Sequence, residues 1–213
     1  MLRLLDCGTA PAPTVSPFPS APNERDRLEA AERARCFGQA PEILTPRLRL
    51  RPFGPDDHMA LQAIMARPET FEFSDRQPMT PGESWARLLR HVGHWSLFGF
   101  GMFAVEERTT GALIGEIGFA DFRRGFGTGY DGVPEAAWTI VPERWGLGYA
   151  QEAALGAHQW VDGQKFGAST VCMIFCGNLR SLRVAVKLGY VPFRQLSHNG
   201  NPAILFRRLR GAI

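Results

Sequence analysis

The sequence predicts a single mixed α/β domain, an α+β mixed sheet with helices, and three observations lead there. The apolar pattern switches repeatedly between the strand period of two and the helical period of 3.6, helix-start and hairpin signals fall between the runs, and no internal repeat interrupts the series. From residue 43 onward the element order is β-α-α-β-β-β-α-β-α-β-β. The domain is expected to span 43–213, preceded by an extension over 1–42.

Each element has a local cause. Thr45-Pro-Arg-Leu-Arg-Leu-Arg-Pro-Phe53 alternates charge with leucine, the pattern of a strand with one buried face. A helix follows over Asp56 to Ala66. Thr80-Pro-Gly-Glu83 then supplies an N-cap, a proline at the first helical position and a capping-box glutamate for a second helix reaching Trp95. Strands over 100–107 and 112–122 are joined through Arg108-Thr-Thr-Gly111, and a glycine-rich loop over 123–132 leads to a strand from Glu135 to Val141. Ala150, Ala153, Ala154, Ala157, Trp160 and Val161 trace one face of the next helix, small enough to lie close on a sheet. A strand over 168–176, a helix over 179–188 stopped by Gly189, and a strand over 190–196 come next. Asn199-Gly200 is a hairpin turn into a last strand over 203–209.

Bulk composition bounds the function. With 213 residues, 45% of them hydrophobic and 21% charged, the chain can bury a sizeable core. Its net charge of +3 comes from twenty-two arginines and only two lysines, Lys165 and Lys187. The arginines are scattered apart from Arg123-Arg124 and Arg207-Arg208-Leu209-Arg210, which argues against nucleic acid as the main partner. Leu2-Arg-Leu-Leu5 is too short for a signal core or a membrane span, and a cytoplasmic location is expected. The stretch Thr9 to Asn23 has the proline-rich composition of a linker, and 23–39 the charge and alanine content of an accessory helix. Cys7 and Cys36 belong to no disulfide framework. Cys172 and Cys176, four apart in a strand, would stand roughly 13 Å from each other, too far for a disulfide.

The stretch Pro142-Glu-Arg-Trp-Gly-Leu-Gly-Tyr-Ala-Gln-Glu-Ala-Ala154 puts two glycines just before the alanine-rich helix. Glycines at a helix start permit close approach of an anion to unsatisfied N–H groups, although such a pair is also an ordinary turn. A dinucleotide fingerprint is incomplete, because position 151 is glutamine where a third glycine is needed, and there is no Gly-Lys-Ser/Thr for a nucleotide-binding loop.

Three motifs in order carry a resemblance. They are the opening strand Leu44 to Pro52, the stretch PERWGLGYAQEAALGA, and Asn178-Leu-Arg-Ser-Leu-Arg-Val-Ala-Val-Lys-Leu-Gly-Tyr190. Together they resemble the GCN5-related N-acetyltransferases (GNAT), nearest the branch typified by ribosomal-protein-alanine N-acetyltransferases. The resemblance implies a mostly antiparallel sheet with one splayed parallel pair and helices on both faces. It implies acetyl-CoA as co-substrate, a primary amine as acceptor (a peptide or protein N-terminal α-amine or a small molecule), direct attack in a ternary complex, and assembly compatible with a homodimer. A non-catalytic acyl-CoA-binding module on the same fold is the alternative.

The same resemblance assigns roles to positions. Trp138, Thr139, Ile140 and Val141 would flank the cofactor arm, with an N–H near Ile140 polarising the acetyl carbonyl. Arg144, Trp145, Gly146, Leu147, Gly148, Tyr149 and Ala150 would cradle the pyrophosphate. Asn178 would contact the arm, although it is equally an ideal N-cap. Ser181 would protonate the departing sulfur, with Tyr190 a second hydroxyl. Glu135, with small same-face neighbours Ala137 and Thr139, is the expected base, and Glu116 or a water chain the alternative. Glu143 sits uncomfortably close to a pyrophosphate unless it points away. Acceptor recognition is expected from Phe71-Glu72-Phe73, Trp85, His91, His94 and Trp95, with Glu72 and Asp75 able to attract a cation. His91 and His94 lack a third metal ligand, so no metal is expected.

Overall fold

A computed structural model describes residues 40–73, 76–164 and 166–212. The expected linker and accessory helix, Cys7, Cys36 and Asp75 lie outside these residues. Eight strands form one sheet in the order β1-β2-β3-β4-β5-β6-β8-β7. They are β1 Ile43–Leu44, β2 Leu48–Arg51, β3 Met102–Glu107, β4 Leu113–Ala120, β5 Glu135–Ile140, β6 Ser169–Phe175, β7 Val191–His198 and β8 Asn201–Leu209. The helices are α1 His58–Met65, α2 Pro81–Phe98, α3 Tyr149–Asp162 and α4 Leu179–Lys187. Neighbouring strands run antiparallel except β5 and β6, which are parallel and connected through α3.

The mixed α/β class and the element order agree with expectation, with one difference at the start. The alternating run forms β2 alone, and β1, just before the run, folds back on it through a turn at 45–47. The Thr45 N–H donates to the Leu48 carbonyl at 2.9 Å, the Leu48 N–H donates to Thr45 Oγ1 at 3.0 Å, and Pro46 between them has no N–H to continue a ladder. Alternation persists within β2, where Leu48 and Leu50 are buried and Arg49 and Arg51 are not. In α2 the Thr80 capping box forms as predicted, and the helix continues past Trp95 to Phe98 because Gly99, at φ 71°, closes it. The Asn199-Gly200 turn has positive φ at both residues, 49° and 83°, as a two-residue hairpin requires.

Strand alternation gives the sheet two apolar faces. Phe103, Val105, Ile117, Phe119, Ala136 and Ile140 pack with Ala153, Ala154 and Ala157 of α3, and Ala185 of α4 joins the same core. Met102 and Ala104 point the other way, to Leu61, Ile64 and Met65 of α1 and Leu88 of α2. Small residues on α3 let it sit directly on β2, β4 and β5, where Gly156 comes within reach of Leu50.

One fully buried cation ties the far ends of two helices together. Arg208 of β8 donates from Nε to the Leu188 carbonyl at 2.8 Å, just after α4, and from both terminal nitrogens to the Asp162 carboxylate at 2.8 and 2.6 Å, at the end of α3. Burial opposes ionisation of Asp162, but Arg208 and the Gly211 N–H outweigh it and hold the carboxyl below its ordinary range. Because the folded pKa is depressed, this contribution is complete above the unfolded carboxyl pKa of about 3.9 and is lost as pH falls. Asp162→Ala leaves the guanidinium buried and unpaired, so we expect a loss of about 3–5 kcal/mol in urea unfolding at pH 7, shrinking toward acidic pH.

Candidate active site

The parallel pair β5 and β6 touches at one position only, Glu135 opposite Val171, where the Val171 N–H donates to the Pro134 carbonyl at 3.1 Å. Beyond it the strands diverge. On its other edge β5 stays fully paired with β4, from Ala120 opposite Glu135 to Gly115 opposite Ile140, and the Val141 N–H donates to the Ile114 carbonyl at 2.9 Å. Antiparallel pairs alternate between bonded and non-bonded, so Val141, Thr139 and Ala137 spend their backbone groups on β4. Those of Ile140 and Trp138 point the opposite way, into the gap. The Ile140 carbonyl is taken by Trp145 Nε1 at 2.6 Å.

A cleft of about 410 Å³ occupies this gap. Of the expected cofactor residues, Trp138, Thr139, Ile140, Arg144, Trp145, Gly146, Gly148, Tyr149, Ala150 and Asn178 line it, as does Ser181. Val141 and Leu147 do not, Val141 turning to the apolar layers and Leu147 to solvent.

The two glycines of the loop have distinct local reasons. Gly146 and Gly148 hold φ of 75° and 82°, a region side chains rarely enter, and this lets the chain turn from β5 into α3. Gly148 is the N-cap and offers no side chain to the helix. The first intrahelical bond back to it comes from the Glu152 N–H, so the N–H groups of Tyr149, Ala150 and Gln151 precede the ladder and face the cleft end. Glu152 is held from outside by Thr45 Oγ1 at 2.6 Å, the Arg47 N–H at 2.8 Å and Arg47 Nε at 2.6 Å, while Arg47 also donates to the Leu147 carbonyl. The start of α3 is thereby pinned to the β1–β2 turn.

Glu143 points away from the loop's amides, and its carboxylate accepts from Arg67 at 2.7 Å. Arg144 pairs with Glu107, which Thr110 and Tyr149 also approach, and these donors, Arg144 foremost, pull the Glu107 carboxyl down to about 2. On α4, Arg180 lies 4.0 Å over the Trp145 ring and 5.4 Å from that of Phe73, and donates to Glu72 at 2.8 Å. The segment 67–73 therefore crosses between the two walls, with Arg67 on Glu143 at one end and Glu72 on Arg180 at the other. Glu69, Thr70 and Phe73 of this strap line the cleft.

Asn178 caps α4, its Oδ1 accepting from the Ser181 N–H at 3.0 Å, and it lines the cleft as well, so the two sequence readings are compatible. Ser181 Oγ accepts from Trp138 Nε1 at 3.2 Å, which leaves its own proton available to the cleft. Tyr190 is placed elsewhere. Its buried hydroxyl bonds His158 Nε2 and Thr170 Oγ1, and since His158 Nδ1 must donate to the Ala154 carbonyl, Tyr190 donates to Nε2 and accepts from Thr170.

Neither expected carboxylate lines the cleft. Glu135 is buried with both oxygens on Arg124 Nε, at 2.9 and 2.8 Å, on the same face of β5 as Thr139. Glu116 is buried against Arg87 and against His91 Nε2 at 2.9 Å. Their electrostatics diverge. Burial raises the Glu135 carboxyl against the pull of Arg124. For Glu116 the burial penalty is overcome by Arg87 and His91, which drive the carboxyl far below its ordinary range. Of the expected acceptor residues that are described, only Phe73 lines the cleft. Trp95 is in the core with its indole on the Met102 carbonyl, and His94 bonds the Arg90 carbonyl. Among the described residues no group of three or more His, Cys, Asp or Glu could hold a metal.

The cleft also contains residues that the sequence reading passed over: Glu69, Thr70, Gln151, Phe175, Arg180, Arg183, Val184 and Lys187. Those on α4 had a signal, since 180, 183, 184 and 187 repeat at helical spacing beside Asn178. Glu69 and Thr70 had none, because the four-residue turn Pro68–Phe71 after α1 is too short to carry a period.

Comparison with known proteins agrees with this geometry. A putative GNAT-family acetyltransferase from Bordetella pertussis is 29% identical, covers 79% of this chain and 99% of its own, and superposes with a TM-score of 0.72. The uncharacterized protein YkkB of Bacillus subtilis is 25% identical over 174 residues, 78% of this chain and 95% of that protein. A spermidine N-acetyltransferase from Vibrio cholerae, solved with CoA and spermine, shares the fold at 15% identity, with a TM-score of 0.64 over 79% of this chain and 98% of that one. The family described as acetyltransferase (GNAT) domain matches residues 47–191, most of the described chain, and the protein belongs to that family.

Proposed function

We propose that the protein is an N-acetyltransferase that moves the acetyl group of acetyl-CoA to a primary amine by direct attack. The observation that carries this reading is the divergence of β5 from β6. It leaves the Trp138 and Ile140 backbone facing a cleft that ends at the uncapped start of α3. The cleft suits that co-substrate: an extended amide-bearing arm pairs with backbone groups, and an anionic end meets unsatisfied N–H groups and cations. Bound acetyl-CoA supplies a thioester carbonyl as electrophile.

The chain's residues then have separable tasks. The Ile140 N–H, preorganised by the β4 ladder, stabilises developing negative charge on an oxygen. Ser181 Oγ–H is the proton source for a departing thiolate, its oxygen held by Trp138 Nε1. The backbone from Trp145 to Ala150 binds the pyrophosphate with Arg144 at its flank, and Asn178 contacts the arm. Glu135 accepts the amine proton through water along the face shared with Ala137 and Thr139, and as it does so it loosens its pair with Arg124. Its raised pKa suits a base, whereas Glu116 is held too firmly ionised to take up a proton. The acceptor enters near the strap, where Glu69 offers a carboxylate to a cationic amine, and an N-terminal α-amine is favoured over a small molecule. A cytoplasmic location follows from the same reading, and no helix of the described residues is long and apolar enough to cross a membrane.

Titration calorimetry on the full chain should give micromolar or tighter acetyl-CoA binding, and thiol release should appear with at least one of a panel of peptides, polyamines, amino acids and aminoglycosides. Binding without release across the panel favours the non-catalytic module, and no binding to folded protein rejects the proposal. Gly148→Val forces a β-branched residue to φ 82° and should weaken acetyl-CoA at least tenfold; unaltered affinity removes the cradle. Ser181→Ala should lower kcat by about a hundredfold or more with affinity retained. For Glu135→Gln the kcat loss should be largest near and below neutral pH and shrink as the amine deprotonates on its own. A loss equal at every pH excludes Glu135 as the base.

A further inference from the structure

Four cations line the cleft, Arg144, Arg180, Arg183 and Lys187, and they are not equivalent. Arg144 is neutralised by Glu107 and Arg180 by Glu72. Arg183 and Lys187 have no carboxylate partner among the described residues, and the hydrogen bond of Lys187 goes to the neutral Gln151 Oε1 at 2.8 Å. The two stand at i and i+4 on α4, so their heads share one helix face about one turn apart. Gln151 belongs to the first turn of α3, which places Lys187 beside the uncapped N–H groups. Lys187 is also the last residue of α4, where the helix dipole is negative and would repel an anion. Within α4, an anion at this end is therefore drawn by the side chains and not by the helix backbone.

We propose that Arg183 and Lys187 form a phosphomonoester site that binds the 3′-phosphate on the ribose of coenzyme A, separate from the backbone cradle for its diphosphate. The proposal rests on the acetyl-CoA reading above. A bridging diphosphate has its charge spread over two groups, which a run of N–H donors can follow. A terminal phosphomonoester carries about −1.5 to −2 at neutral pH and exposes three oxygens, which call for charged donors. Two uncompensated cations one turn apart, beside the cradle, match that demand. The ladder on α4 also runs in the required order, with Asn178 and Ser181 at the reacting end and Lys187 at the anionic end.

The test compares CoA with 3′-dephospho-CoA by titration calorimetry on the full chain. Wild type should bind CoA at least tenfold more tightly than dephospho-CoA, by a margin that narrows at high salt. Arg183→Ala and Lys187→Ala should each weaken CoA while leaving dephospho-CoA affinity unchanged, and the double variant should bind the two alike. Equal wild-type affinities overturn the site without involving any variant, and leave the acetyl-CoA reading intact. Variants that weaken both ligands equally also overturn it, since the cations would then hold the diphosphate. If neither ligand binds folded wild-type protein, the underlying reading falls with it.

Discussion

The arrangement of this molecule depends on one interrupted hydrogen-bond ladder. Backbone N–H and C=O groups inside a sheet are normally paired on both edges of a strand, and leaving them unpaired in a buried setting is costly. β5 is paired along its whole length with β4 but with β6 only at Glu135 opposite Val171. Its far edge is thus a line of donors and acceptors that a ligand can complete as a neighbouring strand would. The β4 pairing matters as much as the missing β6 pairing, because it fixes which residues face the gap and makes their direction independent of what enters.

Keeping two parallel strands apart requires the helices to be held from outside the cleft. At the far end Arg208 grips both the end of α3 and the turn after α4, so the two helices cannot close on each other by rotating about their C-termini. At the near end Glu152 ties the start of α3 to Thr45 and Arg47. Both fixings use buried or half-buried carboxylates with several donors, the kind of pairing that carries geometric specificity. The alanines of α3 complete the scheme, since only a helix with small residues on that face can lie flat on β2, β4 and β5.

Much of this was legible in the sequence, for identifiable reasons. Capping residues, hairpin glycines and strand alternation act locally, so α2, the Asn199-Gly200 turn and most strands were found close to their true limits. At the opening, β1 escaped because Ile43-Leu44 is too short to show a period, and only the Thr45 hydroxyl and Pro46 hinted at a turn before β2. In the site, residues inside the glycine loop and the Asn178 motif were found because sequence neighbours act together there. Glu69 and Thr70 of the strap and the partners of Glu135 and Glu116 were not, since each depends on contacts outside its own element, and the cations of α4 were passed over although their helical spacing beside Asn178 marked them. The direction of a pKa is least legible of all: Glu135 and Glu116 are both buried strand glutamates, yet burial outweighs Arg124 at the first and is outweighed by Arg87 and His91 at the second.

The strap over residues 67–73 is fastened by two exposed ion pairs of opposite sense, arginine on the strap at one end and glutamate at the other. Pairs of this kind contribute only about 0–1 kcal/mol each, and dissolved salt weakens them. The middle of the strap is held differently, by Thr70 Oγ1 donating to the Ile64 carbonyl at 2.9 Å and by Phe71 packing on the layer of α1. Dissolved salt therefore acts on the two ends of the strap and not on its middle.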